Sequence, residues 1–395
     1  MPLISFMLPS RLYAPLLFIL LLAFLPGCDW TVQIGDPGTV GPLGDAIDNP
    51  GDWTWVPVEG ARCRDGSETG FGTRLQERSR ELLIYLEGGG ACFNEETCTG
   101  TDSTTGNQDN FGRFTFEGVV VSGRGDDGIF NTARSENPFA DWSAVYVPYC
   151  TGDVHAGSAT DVVVDGVDAD ADGTDDRQQF VGHRNVERYL DVLADQYPNP
   201  LDHVVLAGSS AGGFGTLVNY EAVRAAFPDA RVTLLNDSGP PVASEEVLTS
   251  ALEQRWIDLW NLSATLSDSS GSPTAAGEAV ASGGLAAIYE SHTRTYPDQS
   301  FGLLSHLKDG VIRNFYGHRQ PGCASPYGCV SGEAYAQALT DVRDRQSPDW
   351  STYYVDGTDH TFLVGDRFYD TAVAGAPLTD WTGNLVDGDA PDLAP

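Results

Sequence analysis

Ser210 is the residue of this chain whose sequence context most clearly suggests chemistry. It lies in Gly208-Ser209-Ser210-Ala211-Gly212, which fits the pattern G-x-S-x-G. A serine hydroxyl is a weak nucleophile, so it needs a neighbouring base, and the base needs an orienting carboxylate. We interpret Ser210 as a nucleophile for acyl transfer. A tight packing turn is the alternative, because any Gly/Ser-rich loop can supply the pentapeptide.

The base and the acid are expected after the serine, in the order Asp or Glu and then His. Four histidines follow Ser210 in the chain: His292, His306, His318 and His360. We choose His360, in a polar turn after the last predicted strand, as the base, and Asp309 as the orienting acid. Three other aspartates remain rivals for the acid: Asp237, Asp356 and Asp359. A surface histidine and a helix-cap aspartate are the structural alternatives for the two chosen residues.

Two backbone segments could stabilise the oxyanion of a tetrahedral intermediate. The amide of Ala211 directly follows the nucleophile, and the triplet Gly88-Gly89-Gly90 ends a predicted strand where an HGGG-type motif would sit. Glycine lets backbone N–H groups approach a substrate closely. We therefore predict Gly89, Gly90 and Ala211 as the oxyanion donors, with an ordinary strand-ending turn as the alternative for the glycines.

Alternating strands and helices are expected to position these residues. Val204–Ala207 is an apolar run typical of a strand buried on both faces, and a helix is predicted after Ser210 to about Phe227. Other strands are predicted at Leu82–Leu86, Trp142–Tyr149, Arg231–Leu235, Phe301–Leu304 and Tyr353–Val355, and helices at Phe180–Tyr197, from Ser244 onward and at Ser331–Arg345. Ser263–Gly284 is predicted as a lid or a loop. The alternation predicts an α/β-hydrolase-like fold, with a mostly parallel central sheet flanked by helices in a single domain.

The N-terminal segment predicts an exported, lipid-anchored protein. The uncharged run Leu12–Leu25 is short for a membrane span and suits a signal-peptide core, with a buried helix as the alternative. Its Leu-Pro-Gly-Cys ending resembles a bacterial lipobox, with Cys28 as the lipidated residue. We predict a lipoprotein signal peptide at residues 1–27, a flexible tether at 28–50 and the hydrolase domain at 51–395. The expected location is the bacterial cell envelope or cell surface.

The cysteine content also fits export. Six cysteines remain besides Cys28, and an even number in an exported chain favours disulfides over zinc, for which no C-x-x-C spacing is present. We expect three bridges: Cys92–Cys98 and Cys323–Cys329, each across a short polar segment, and Cys63–Cys150. Other connectivities remain possible for six cysteines.

The formal net charge of −34 limits the partners of this chain. Such a surface repels nucleic acid and other polyanions, so we expect no nucleic-acid partner. We expect a monomer that acts on a small-molecule or glycan ester and touches the membrane only through its lipid.

One acidic loop could bind a cation. Asp168, Asp170 and Asp172 precede Gly173 in the pattern D-x-D-x-D-G, which begins an EF-hand-like calcium loop. The twelfth position is Gln179 instead of the usual glutamate. A Ca²⁺ site and a solvated acidic insertion both remain open, and the predicted hydrolase chemistry needs no cofactor.

Five motifs of the chain occur in a characteristic order: RCRDGSETGFG, LLIYLEGGGACFNEETC, VYVPYCTGDVHAG, LAGSSAGGFGTL and NDSG. Together they resemble the pectin acetylesterase–Notum family of serine carboxylesterases, and the likeness continues through HLKDGVIRNFYG to DGTDHTFL. The resemblance implies Ser210, Asp309 and His360 as the triad, and the same three oxyanion donors. It also implies the Cys63–Cys150 and Cys92–Cys98 disulfides.

The chain departs from the family pattern beside the glycine triplet. Ala91 and Gly90 stand where plant enzymes and Notum proteins, respectively, carry tryptophan, so an aromatic wall of the acyl pocket is expected to be missing. The resemblance therefore implies a secreted carboxylesterase that removes an O-acyl group, acetyl included, of undetermined length. The alternatives are a calcium-dependent, non-catalytic surface-binding lipoprotein on a hydrolase scaffold, and a serine peptidase.

Overall fold

A computed structural model describes residues 42–99, 110–168, 172–318 and 320–395 of the chain. These residues belong to one unit, Val40–Pro395. The predicted signal peptide, Cys28 and most of the predicted tether lie outside the described residues. No helix of the described part combines the length and the apolar character needed to cross a membrane.

The described residues contain twelve strands. They are β1 Thr54–Arg62, β2 Glu68–Arg74, β3 Glu81–Leu86, β4 Ser143–Val147, β5 Ala159–Val163, β6 Arg177–Phe180, β7 His203–Ser209, β8 Arg231–Asp237, β9 Phe301–His306, β10 Ser351–Val355, β11 Ala372–Val373 and β12 Ala376–Pro377. Eight of them form one sheet in the order β1-β2-β4-β3-β7-β8-β9-β10. The sheet is parallel from β4 to β10, whereas the pairs β1–β2 and β2–β4 are antiparallel. The predicted mostly parallel sheet is confirmed.

Helices cover both faces of this sheet. They are α1 Gly44–Asp48, α2 Glu95–Cys98, α3 Arg113–Phe116, α4 Gly182–Gln196, α5 Ala211–Ala226, α6 Ser250–Leu259, α7 Leu262–Thr265, α8 Ala275–Gly283, α9 Ile288–Thr295, α10 Gly310–Gly317, α11 Gly332–Gln346, α12 Arg367–Asp370 and α13 Leu378–Asp387. Short π- or 3₁₀-helical turns lie at Glu117–Val121, Arg124–Asp126, Gly128–Phe130 and Leu285–Ala287.

Strand β7 shows how the sheet separates two hydrophobic clusters. Val204 and Leu206 pack into the cluster on one face, whereas Val205 and Ala207 pack into the cluster on the other. All four side chains are fully buried. Because successive strand residues point to opposite faces, a strand covered on both sides reads as an unbroken apolar run. The strand that carries this buried run ends at Ser209, so Ser210 is the first residue beyond it.

Two sequence-based boundaries were wrong. The helix expected to start at Ser244 begins at Ser250, because the hydroxyl of Thr249 accepts a hydrogen bond from the Leu252 N–H and caps it there. The predicted tether does not extend to residue 50. Helix α1 precedes the sheet, and Leu43 is fully buried, with its N–H donating to Gln196 Oε1. Because Leu43 already packs in the hydrophobic core, the folded unit begins before residue 50.

The described residues contain three disulfide bonds, which fit an exported chain. They join Cys63 to Cys150, Cys92 to Cys98 and Cys323 to Cys329. The first connects the end of β1 to the loop after β4, so it ties the antiparallel edge to the parallel part of the sheet. The second lies immediately after the glycine triplet and closes the segment that follows it.

Candidate active site

Ser210 sits on a sharp turn between β7 and α5. Its backbone has φ of 59° and ψ of −119°, a conformation that non-glycine residues seldom adopt. The Ser210 N–H donates to the carbonyl oxygen of Asp237 at 2.7 Å, which holds the turn in place. Helix α5 begins at the next residue and directs its free N–H groups toward the serine.

Close backbone approach requires glycine both in this turn and in the loop after β3. A Cβ on Gly212 would lie 1.9 Å from the carbonyl oxygen of Leu86, at the end of β3. A Cβ on Gly88 would lie 2.5 Å from the carbonyl oxygen of Ser209. Real side chains do not tolerate such distances, so glycine allows the ends of β3 and β7 to meet. The glycine triplet is thereby placed beside Ser210.

His360 and Asp309 meet at the carboxyl end of the sheet. Nδ1 of His360 lies 2.7 Å from Oδ2 of Asp309, whose side chain is fully buried. Nε2 of His360 is also buried and has no hydrogen-bond partner in the described chain. Ser210 and His360 line the same cleft, and no hydrogen bond joins them in this structure. The imidazole therefore presents its second nitrogen without a protein partner.

Asp309 satisfies both interpretations that the sequence left open. Its Oδ1 accepts hydrogen bonds from the N–H groups of Val311 and Ile312, so it caps helix α10 while Oδ2 faces the imidazole. Among its rivals, Asp356 and Asp359 are exposed. The third rival, Asp237, is buried and contacts the backbone beyond His360 instead of the ring.

The rings of the other histidines after the serine contact other groups. Nε2 of His292 pairs with the Leu217 carbonyl, the ring of His306 stacks on Phe362, and Nδ1 of His318 lies near the side-chain amide of Asn94.

The glycine triplet is held by contacts at its two ends. The Tyr149 hydroxyl donates to the Gly90 carbonyl at 2.8 Å, and Nε2 of His155 lies 2.8 Å from the Glu87 carbonyl. Gly90 has φ of +87°, which glycine adopts without strain. Within the described chain, the N–H groups of Gly89, Gly90 and Ala211 have no acceptor. They are available to a negatively charged oxygen at the mouth of the cleft.

An ion pair between buried Glu87 and exposed Arg124 lines the same cleft. Nη1 of Arg124 lies 2.5 Å from Oε1 of Glu87, and the Tyr149 N–H donates to Oε2 of the same carboxylate. Burial raises the pKa of Glu87, and the hydrogen bonds and Arg124 oppose this effect. Sequence reasoning missed Glu87, Arg124 and Tyr149. The position of Glu87, directly after a buried strand and before three glycines, was a usable signal.

An apolar cavity extends from Ser210 into the helical layer. Its cavity volume is about 50 Å³, and its lining is almost entirely hydrophobic. Gly90, Ala91, Ser210 and Ala211 form its opening, and its wall includes Phe214, Leu217, Trp256, Trp260, Leu285, Ile288, Ile312, Phe315 and Tyr316.

Aromatic residues line the cavity, although neither residue 90 nor residue 91 is aromatic. Ala91 and Gly90 leave space at the mouth of the cavity, but aromatic residues of other elements form its wall, above all Trp256 and Trp260. Their rings stack at 5.8 Å with an interplanar angle of 8°. Their spacing, four apart on one helical face, was visible in the sequence. The segment from residue 245 to 300 supplies much of this wall.

A comparison with family models identifies the family of this chain. Residues 53–274, more than half of its length, match the model described as Pectinacetylesterase. The chain belongs to the pectinacetylesterase family. The matched span contains the glycine triplet and Ser210, whereas Asp309 and His360 lie beyond it.

Curated relatives of this pectinacetylesterase-family chain carry two kinds of name. The human palmitoleoyl-protein carboxylesterase NOTUM is 32% identical over 184 residues, covering 45% of this chain and 34% of that protein. Pectin acetylesterase 4 of Arabidopsis thaliana is 32% identical over 185 residues, covering 46% of this chain and 41% of that protein. The aligned stretches thus span less than half of these relatives' own length.

A solved structure supports the fold over a longer stretch. The Wnt deacylase Notum from Drosophila superposes with a TM-score of 0.62, at 20% identity, over 86% of this chain and 94% of that chain. The pectinacetylesterase-family chain therefore has a Notum-like α/β-hydrolase fold, as the sequence predicted.

The structure describes only part of the candidate calcium loop. Asp170 falls outside the described residues. The carboxylate of Asp168 accepts the N–H groups of Asp172 and Gly173, and Asp172 accepts that of Thr174. The described part of this family member has no group of three or more His, Cys, Asp or Glu side chains placed to hold a metal. Calcium binding at this loop stays a prediction.

Proposed function

We propose that this protein is a serine carboxylesterase that hydrolyses an O-acyl ester with Ser210, His360 and Asp309. The observation that carries the proposal is the 2.7 Å contact between Asp309 and His360 in the cleft that Ser210 lines. Ser210 attacks the ester carbonyl, and Nε2 of His360 takes its proton. Asp309 stabilises the imidazolium that results. The proton then passes to the leaving alcohol, and water releases the acyl group by the same steps in reverse.

Oxyanion stabilisation comes from the backbone in this proposal. The free N–H groups of Gly89, Gly90 and Ala211 surround the position where the carbonyl oxygen gains negative charge. The Ser210–His360 hydrogen bond forms in the substrate complex, because catalytic hydrogen bonds are often long in the free enzyme and tighten on binding. No cofactor takes part in these steps.

The shape of the site supports an acyl group longer than acetyl. The cavity behind Ser210 is apolar, and several helices contribute to its wall, so it offers more apolar surface than a methyl group can contact. The cleft on the other side of Ser210 is lined by Glu87, Arg124 and His360, and it suits a polar alcohol. The relatives differ in this respect, since some are named for palmitoleoyl groups and others for acetyl groups. We assign the acyl chain to the cavity and the alcohol to the cleft.

An acyl-length series tests this assignment. We expect the wild type to hydrolyse p-nitrophenyl esters of medium and long acyl chains with a higher kcat/KM than the acetate. Ala91→Trp should place an indole in the cavity mouth and lower kcat/KM for the long chains by about 100-fold, because a blocked pocket excludes the bulky acyl group. Steady-state kinetics on the ester series measures both effects.

The acetate serves as the internal control for this variant. Turnover of p-nitrophenyl acetate by Ala91→Trp should stay within several-fold of wild type, which shows that Ser210 and its partners remain assembled. Equal losses on all chain lengths would place the acyl group outside the cavity. A wild type that hydrolyses none of the esters would contradict the esterase proposal itself.

We also propose that the protein is exported and anchored through a lipid on Cys28. The lipobox-like sequence before Cys28 and the three disulfides support this location. Bacteria expressing the full chain and fed labelled palmitate should incorporate the label into the wild type and not into Cys28→Ser. Equal incorporation in both would remove the anchor from the proposal. The unchanged disulfide content of the variant serves as the control.

A further inference from the structure

The loop that carries His360 contains a strained residue. Thr361 has φ of +63°, a region that β-branched residues rarely occupy. Such a conformation persists only where the surrounding contacts hold it, and it tends to occur where function depends on it. Because Thr361 directly follows His360, its backbone angle sets the course of the loop immediately after the imidazole-bearing residue.

Asp237 holds the chain immediately after this strained residue. Its Oδ2 accepts the N–H of Phe362 at 2.9 Å and the N–H of Leu363 at 3.1 Å. The side chain is completely buried, at the carboxyl end of β8. Two adjacent amides fixed on one carboxylate oxygen leave the loop little freedom to turn.

The same residue also holds the nucleophile. The carbonyl oxygen of Asp237 accepts the Ser210 N–H at 2.7 Å, and its Oδ2 accepts the Ser209 hydroxyl, also at 2.7 Å. Its second oxygen, Oδ1, accepts the Ser238 hydroxyl at 2.9 Å. Asp237 is thus hydrogen-bonded both to the turn that carries Ser210 and to the loop that carries His360.

We propose that Asp237 is a positioning residue that sets the distance between Ser210 and His360 by clamping the strained loop after His360. This role rests on the proposed function, because it presumes that the two side chains react together. Asp309 orients the imidazole ring, whereas Asp237 fixes the backbone from which the ring extends. Burial raises the pKa of Asp237, and its hydrogen-bond donors together with His360 counter that effect.

Two substitutions of Asp237 test whether its contacts with the loop amides position His360. Asp237→Ala removes the acceptor for both loop amides, and we expect kcat to fall by about 100-fold, the loss typical of a displacement of about 1 Å. KM should change little, because the acyl cavity is untouched. Asp237→Asn keeps an oxygen for the loop amides and turns its NH₂ toward Ser238, so kcat should stay within several-fold of wild type.

Ser238→Ala is the matched control. It removes the hydrogen bond to Oδ1 of the same carboxylate and leaves the contacts of Oδ2 intact. We expect wild-type kcat from this variant. If Asp237→Ala does not fold, Asp237→Ser replaces it, because its shorter hydroxyl cannot accept both loop amides and should still lower kcat.

A spectroscopic readout distinguishes positioning from a loss of stability. In proton NMR, the downfield resonance of the His360 Nδ1–H shared with Asp309 should be lost or broadened in Asp237→Ala below its unfolding temperature, and kept in Asp237→Asn. Wild-type kcat in folded Asp237→Ala, or equal losses in the Ala and Asn variants, would overturn the positioning role alone. An active Ser210→Ala variant would instead overturn the proposed function.

Discussion

Ser210→Ala should reduce kcat for ester hydrolysis by about 10⁶-fold, the scale on which loss of a triad nucleophile acts. The reason is that Ser210 lines the cleft together with Gly89, Gly90 and His360, the residues proposed to act with it. Alanine removes that hydroxyl and keeps the turn. A fluorophosphonate probe should label the wild type at residue 210 and leave the variant unlabelled. Mass spectrometry of the labelled peptide identifies the site.

Ser238→Ala is the matched control for this experiment as well. Ser238 has φ of 60°, almost equal to the 59° of Ser210, and it is buried close by. The same substitution at the same backbone angle tests the effect of serine-to-alanine replacement without removing the proposed nucleophile, and it also removes the hydrogen bond to Asp237 Oδ1. Retained turnover by Ser210→Ala, or labelling at another residue, would show that Ser210 does not perform the attack. A wild type that hydrolyses no ester and is labelled at no residue would instead favour the non-catalytic, surface-binding alternative.

The parts of this site that could be predicted lie where strands end. In a parallel sheet, the carboxyl ends of neighbouring strands share one edge, so residues just beyond β3, β7 and β9 are brought together by topology alone. Gly89, Ser210 and Asp309 follow those strands, and each was recognisable from the apolar run before it. The glycine triplet and the G-x-S-x-G pattern also indicated where the backbone approaches a substrate closely and where it turns sharply.

The acyl cavity could not be predicted in this way. Its wall combines Phe214, Trp256, Ile288 and Phe315 from four helices that are distant in the sequence. Their apolar faces predict burial, but only the packing angles of the helices decide whether a space remains between them. The absence of tryptophan at residue 91 suggested an open mouth, and it gave no information about the wall behind it.

The role of Asp237 was also outside the reach of sequence reasoning. A buried aspartate after a strand is a reasonable candidate for the triad acid, and nothing in the NDSG motif distinguishes it from Asp309. The distinction depends on a few ångströms, because Asp309 reaches the imidazole itself while Asp237 reaches the two amides beyond it. Side-chain identity fixes what a carboxylate can accept, and the fold decides which donors it meets.

Asp309→Asn should lower kcat by about 10⁴-fold while the protein remains folded. Oδ1 of the present carboxylate caps helix α10, and the asparagine oxygen can take over that role, since asparagine is as good a cap as aspartate. Its NH₂ group then faces Nδ1 of His360 and forces that nitrogen to accept. The proton consequently moves to Nε2, so the imidazole can no longer receive the proton of Ser210. Steady-state kinetics with thermal unfolding measures both effects.

Asp309→Ala and Asp359→Asn complete the argument about the acid. The alanine variant loses the cap as well, so we expect a similar fall in kcat with a further loss of about 1 kcal/mol in the free energy of unfolding. Asp359 lies on the loop of His360, is exposed, and sits 3.7 Å from Arg367. Because exposed ion pairs contribute little, its neutralisation should change kcat by no more than about twofold. If folded Asp309→Asn loses tenfold or less while Asp359→Asn loses more, the carboxylate that orients His360 is not Asp309. If both are nearly wild type, Asp309 caps helix α10 through Oδ1, and its 2.7 Å contact with His360 does not tune the base.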